Sequence, residues 1–521
     1  MNFTMKGFKK STLTALILFM LLGGSCSEDF LHKNPPNSVS GEIFWTSQKD
    51  VETALAGIYY RLQENFLGYE RVYFDALTDN AFADPGNTNQ SNLTQMVIGG
   101  ISPALGGAME NLYSTPYKLI SSANYFLDNV DKAQLDEPTV NIYKGEVKFL
   151  RALAYFDLVQ SFGGVVIYRN FLSKLEDARI GKSSAEEVYT LIHEDLDFAI
   201  EHLPAGPYRG HAVKGSAQGI KARVYMTQQN WQAARTVLEE IISDNTFSLS
   251  DSYEDLFTTE GQAKASVNRE IMFATQYLAP NSVHRLRPGA GGLDIELGWF
   301  ALIQPYKNLV DDYEMKDGKR PGESAYYDAS NPYENRDPRL YATVRLPGEV
   351  WRNPITGETG EIYNSYTGFH TKKWVDLRRL PFTTGTATQS DQDYIHLRYA
   401  DILLMYAEAV NELDGPTDVV YDQLNLIRGR TGVGLPSVDR SKYDSKEELR
   451  DYIRHERRIE FALEGHRYND LKRWKIAHII LPTLKTPSGD AYVFREHNYL
   501  LPFSITELDN NPQLTQNDGY N

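Results

Sequence analysis

Apolar residues recur at helical spacing through the first half of the chain. Val51, Leu55, Ile58, Tyr59 and Leu62 fall on one face, the pattern of an amphipathic helix. Leu112, Leu119, Ala123, Phe126 and Leu127 mark a second helix. Val147, Leu150, Ala154, Leu158 and Val159 mark a third, stopped by Gly163-Gly164. Ser183 or Ser184 is placed to cap a fourth, which carries Glu186 and Glu187 in its first turn and ends near Pro204. Two more are predicted at 214–228 and 231–243, split only by Gln229-Asn230. So short a link forces antiparallel packing. Ala222, Tyr225, Trp231 and Ala234 would interdigitate across that pair, as in a degenerate tetratricopeptide-type hairpin without a strict period.

Between 261 and 395 the helical period is lost. Gly and Pro are frequent, and Trp299, Tyr306, Tyr326, Tyr327, Tyr333, Trp351, Tyr363 and Tyr366 are scattered without register. This predicts loops, short strands and brief helices, a long insertion of the kind that usually carries function. Helices return with Tyr399–Ala409, apolar nearly all round and therefore deeply buried. Further helices are predicted at about 418–429 and 446–464, and a Pro- and Asn-rich tail over 500–521 wraps the surface. The fold class is all-α: helix pairs as scaffold over 41–260 and 396–521, with the loop-rich insertion at 261–395 between them.

Composition narrows the function. The chain has 521 residues and a net charge of -16, which argues against bulk binding to nucleic acid. Mean hydropathy is -0.44, so this is no multispan membrane protein. A single cysteine leaves no internal disulfide and no Cys-rich metal site. The 33 tyrosines outnumber Phe and Trp combined, and tyrosine pairs a flat apolar face with a polar tip.

The N-terminus reads as a targeting segment. Lys6, Lys9 and Lys10 precede an apolar stretch from Leu13 to Leu22, too short to span a bilayer. Leu22-Gly23-Gly24-Ser25-Cys26 resembles a lipobox. Residues 1–25 are then a signal peptide, Cys26 the lipidation site, and 26–40 a tether extended by Pro35-Pro36.

No His-Glu-x-x-His pair, Gly-x-Ser-x-Gly elbow, phosphate loop or dinucleotide fingerprint is present. No enzyme activity, cofactor or metal is expected, although acids are too plentiful for sequence to exclude a glycosidase-type carboxylate pair. The densest charged run is Glu456 to Arg467, followed by Asp470-Leu471-Lys472-Arg473-Trp474. Glu456, Glu460 and Glu464 would be successive i, i+4 neighbours, with Leu449, Tyr452, Ile453 and Leu463 beside the first two. Two readings compete: a buried acid site, or a structural network in which Arg457, Arg467 and Arg473 neutralise Glu456, Glu460 and Asp470. The network is favoured, because buried charges must be paired.

That run also resembles the C-terminal signature of the SusD/RagB family, outer-membrane nutrient-binding lipoproteins of Bacteroidetes. Arg151–Phe156 with Phe162-Gly163-Gly164-Val165 is similar to the family's first conserved helix and its exit. Arg398–Leu404 with Ala407-Glu408-Ala409 resembles its central helix, and Leu424–Arg430 the arginine-rich segment after it. Asn511–Tyr520 resembles the closing motif and Cys26–Leu31 the mature start. Asp518 stands where the family often has Pro, and Thr431 where it often has Ala. Within the insertion only Asp337-Pro338-Arg339 matches.

The resemblance implies a lipid-anchored protein on the outer surface of the outer membrane. It would bind an oligosaccharide or polysaccharide and deliver it to a SusC-like TonB-dependent transporter. Candidate ligand residues are Trp299, Tyr306, Tyr326, Tyr327 and Trp351 as sugar platforms, with Asp79 and Asn80 as hydroxyl partners. For each aromatic the competing account is a satellite core under a long loop. Two other functions stay open: a lipid-anchored glycoside hydrolase, and an assembly partner of the transporter without a ligand of its own.

Overall fold

Local capping chemistry starts the helices. Ser47 accepts from the Asp50 amide and opens α1 (Gln48–Arg61). Helix α2 is Ala108–Leu127. Asp136 accepts from the Thr139 amide, with Pro138 in the first turn, and opens α3 (Glu137–Phe162). The apolar residues from Val147 to Val159 mark only the later turns of this helix; the Asp136 cap marks its start. Ser184 and Glu187 form a reciprocal capping box at α4 (Ala185–His202). Helices α5 (Lys214–Thr227) and α6 (Trp231–Asp244) follow, then α7 (Tyr399–Asp414), α8 (Asp418–Arg428), α9 (Lys446–Glu460) and α10 (Arg467–Arg473). The computed structural model describes residues 44–83, 91–284, 303–352, 359–361, 365–374 and 391–520. Cys26, the signal segment and the tether lie outside them.

The helices pack largely in chain order. α3 lies between α2 and α4, α4 meets α5, and α5 and α6 form the predicted antiparallel pair. α7 then docks on α6 and carries α8 and α9 on its other sides. Every residue of α7 from Tyr399 to Asn411 is buried. One continuous core runs from Trp45 to Leu514. Among the described residues, no helix is long and apolar enough to cross a membrane.

The insertion is closed at its base by strands β2 (Ile271–Thr275) and β8 (Tyr394–Arg398), paired antiparallel and fully buried. Gly219 of α5 lets that helix approach this ribbon, since a Cβ there would lie 2.4 Å from Leu397. Beyond the ribbon the described residues form only short strands. β1 (Ala81–Ala83) pairs with β3 (Ile303–Pro305), β4 (Val344–Arg345) with β7 (His370–Thr371), and β5 (Val350–Arg352) with β6 (Thr359–Glu361). A second, small core underlies this region, with Leu309, Val310, Tyr313, Leu340, Val344 and Phe369 against Ile459 and Ala462.

Helix α9 ends at Glu460, four residues before the predicted end. Leu463 and Gly465 take positive φ of 62° and 80°. A Cβ on Gly465 would meet the Arg71 carbonyl at 2.4 Å. Glu464 therefore sits on a turn and does not continue the row of Glu456 and Glu460.

Candidate ligand platform and the charge network beneath it

The ladder of β1 and β3 aligns Ala83 with Ile303. One described stretch stops at Ala83 and another begins at Ile303, paired at one end of this two-stranded ribbon. Gln304 of β3 is fully buried. Its side-chain oxygen accepts from the Tyr366 amide at 2.7 Å and the Ser365 hydroxyl at 3.1 Å. The hydroxyl of Thr371 in β7 donates to the Ile303 carbonyl. Side-chain hydrogen bonds thus stitch residues 365–371 to β3, which backbone pairing joins to β1.

Aromatic rings gather on this stitch. Tyr366 meets Phe82 edge-on at 6.0 Å, and Tyr306 lies 6.4 Å from the same ring. Tyr306 shares a 2.9 Å hydrogen bond with the Tyr492 hydroxyl, and burial pushes its phenol up to about 12. Tyr366 stays 63% exposed with its backbone fixed, the arrangement by which a flat apolar face is offered to a polar ligand. Phe82 and Tyr366 were not among the sequence candidates. Tyr366 carried the same aperiodic signal as those that were chosen, whereas nothing in the sequence marked Phe82.

The other candidates scatter. Tyr326 and Tyr327 are exposed, at 48% and 40%, and Lys316 covers one face of Tyr326 at 4.2 Å. Trp351 stands opposite Gly360 in the β5–β6 ribbon; its side chain, like all of Trp299, is outside the described residues. Asp79 and Asn80 require correction. Asp79 is buried and paired with Arg467 at 2.9 Å and Arg458 at 3.2 Å, which hold its carboxyl well below the usual range. Asn80 is fully buried, donating to Asp75 and accepting from Arg458. Both are claimed by the interior and present no fork to a sugar.

That interior is an extended ion network, as favoured from sequence, but mostly with other partners. Glu456 pairs with Arg339 at 2.6 Å and Arg428 at 3.2 Å. Glu460 receives Arg398, Arg430 and Arg339 at 2.6, 2.7 and 2.8 Å, and these three guanidiniums depress its carboxyl strongly. Arg398 also holds Glu464 and Glu270. Lys373 reaches Glu464 at 2.9 Å. Only Asp470 keeps its expected partners, Arg457 and Arg473. Arg467 is spent on Asp79. The network ties the loop after α1, the insertion and α9 into one body. The Asp337-Pro338-Arg339 triplet contributes through Arg339, oriented by Asp337 at 2.8 Å.

Comparison with known proteins agrees with this architecture. The SusD family profile matches residues 262–520, and a profile described as "Starch-binding associating with outer membrane" matches residues 29–226. SusD-like protein P25 of Formosa agariphila is 28% identical over 536 residues, covering 97% of this chain and 98% of that one. A SusD-like protein of Bacteroides fragilis superposes with a TM-score of 0.78 at 25% identity, covering 94% of this chain and all of the other. A SusD-like carbohydrate-binding protein of the same species gives 0.78 and 25%, covering 91% of this chain and all of that one. With helix-pair scaffold, interrupted insertion and arginine-linked C-terminal motif all in place, the chain belongs to the SusD/RagB family.

Proposed function

We propose that the protein is a surface glycan-binding lipoprotein, anchored in the outer membrane through Cys26, that captures an oligosaccharide and hands it to a TonB-dependent transporter. The observation that carries the reading is the exposed Tyr366. It rests on Phe82 and is fixed by the buried Gln304, next to the paired end of β1 and β3. An exposed aromatic with a fixed backbone suits a polar, flat-faced ligand such as a pyranose. The carbohydrate-binding description of the Bacteroides fragilis structure and the starch-binding profile support the same ligand class. The proposed site centres on Tyr366 and Tyr306, and Trp299, Trp351, Tyr326 and Tyr327 are further candidates from the insertion.

A binding role also fits the acids better than hydrolysis does. A glycosidase needs a carboxyl kept protonated near neutral pH beside the sugar. Asp79, three residues before Phe82, is instead held ionised by two arginines. Calorimetry with a panel of neutral oligosaccharides tests the proposal. Truncating a stacking aromatic costs about 1–3 kcal/mol, by analogy with stacked bases, or roughly 5- to 150-fold in affinity. Tyr366→Ala and Trp299→Ala are expected to lose that much while the melting temperature holds. Normal binding by both variants would move the site elsewhere, and new reducing ends in the mixture would favour hydrolysis.

A further inference from the structure

A cleft of about 910 Å³ lies away from the platform, where the ends of α3, α5 and α10 meet the C-terminal tail. Lys182, Lys472 and Lys475 line it. None of the three has a carboxylate within ion-pair distance among the described residues. Lys472 is 7% exposed, and its ammonium donates at 2.7 Å to the Gln160 carbonyl. Lys182 donates to the Asn517 side-chain oxygen at 2.7 Å, and Lys475 sits 4.6 Å over the Tyr499 ring. The remaining lining cation, Arg473, is already neutralised by Glu408 and Asp470. Against these stand two lining acids, Glu496 and Asp518.

This arrangement is unusual within this molecule. Acids outnumber bases by 69 to 53, and most buried arginines elsewhere find carboxylates, although Arg336 donates only to backbone carbonyls, those of Val310 and Tyr313 among them. Here a buried ammonium is left with a neutral carbonyl and a second lysine close by. Burial and the charge of Lys475 lower Lys472 to about 7. Three lysines against two lining acids leave the cleft cationic, and cations with spare donors are stabilised by an external oxyanion. The volume accommodates a ligand of a few sugar rings.

We infer that this cleft is a second binding site, specific for an acidic saccharide whose uronate carboxylate or sulfate ester is held by Lys182, Lys472 and Lys475. It is independent of the aromatic platform, so either site can fail without the other.

Isothermal titration at low ionic strength tests it, using a galacturonate trisaccharide, a sulfated disaccharide, a neutral trisaccharide of glucose and sodium sulfate. One or both acidic saccharides are expected to bind with a salt-sensitive affinity, and which one binds identifies the oxyanion. The Lys182→Gln/Lys475→Gln double variant should weaken that binding by about tenfold or more. Glu496→Gln, on the exposed rim, should tighten it. Tyr366→Ala should leave it unchanged, which separates this site from the platform. Failure of both acidic saccharides to bind, or equal binding by the double variant, would overturn the inference. So would sodium sulfate binding as tightly as either saccharide, because the site would then recognise a bare ion.

Discussion

Three guanidiniums converge on Glu460, and a carboxylate so enclosed is defined by its partners. Removing it strands Arg339, Arg398 and Arg430 in the interior, and breaking a buried pair typically costs about 3–5 kcal/mol. Glu460→Ala should therefore lower the melting temperature markedly, as read by circular dichroism. Below that temperature glycan affinity should be retained, because Glu460 lies in the interior network and makes no contact with the aromatic platform. Its carboxyl is held below the ordinary 4.5, so its stabilisation is present above that pH and is lost as pH falls. Asp393 behaves oppositely. Burial, with some help from Asp391, pushes its carboxyl from 3.8 up to about 7. A raised acid binds its proton more tightly in the folded state, so stability falls as pH rises from about 4 to 7. Asp393→Asn, which keeps an acceptor for the Tyr277 amide, should be more stable than the parent at pH 8 by on the order of 2 kcal/mol. The difference should vanish near pH 4, as followed by denaturant melts at both pH values.

At the scale of elements, helix starts are written locally, as is the end of α3 at Gly163, but the end of α9 is not. Ser184 and Glu187 close a capping box within four residues, and such a signal is legible because every partner is a sequence neighbour. Ser184→Ala should cost about 0.5–2 kcal/mol. The end of α9 depends on a distant segment. The amides of Leu463 and Gly465 turn to donate to Asp75, at 3.3 and 2.6 Å, and the backbone passes against Arg71. Gly465→Ala places a Cβ against the Arg71 carbonyl in a left-handed conformation. It should cost about 1–3 kcal/mol, whereas alanine within an exposed helix would be nearly neutral. Chemical denaturation of the two variants side by side checks the contrast. The short strands were equally illegible. β1 and β3 are three residues each and lie more than two hundred residues apart, so no local alternation could reveal them.

At the scale of the whole molecule, the ribbon of β2 and β8 returns the insertion to its point of departure, and the ion network clamps it to α9. The helix pairs are left as a broad, rigid face, and a stable handover complex needs roughly 1,200–2,000 Å² of such surface. A barrel-sized transporter is expected to co-purify from native membranes in mild detergent, and its repeated absence would count against the handover. Labelled fatty acid should enter the parent protein and not Cys26→Ala; equal labelling would remove the anchor from the proposal.

The helical frame, its order and the burial of α7 were determined by the sequence alone, because apolar periodicity and caps act over one or two turns. That Glu456 and Glu460 would be neutralised also followed, since an apolar stripe cannot hold bare charge. Which cations neutralise them did not. Arg339, Arg398, Arg428 and Arg430 reach these glutamates from other segments, and Coulombic attraction depends on distance in space, not along the chain. The same reason removed Asp79 and Asn80 from the ligand face: their loop reads as polar and exposed until α9 and α10 bring Arg458 and Arg467 over it. The aromatic platform is the clearest tertiary decision. Phe82, Tyr306 and Tyr366 share no period and no motif, and they meet because β1 pairs with β3, which sets Tyr306 beside Phe82, and because the buried Gln304 of β3 accepts from the Tyr366 amide.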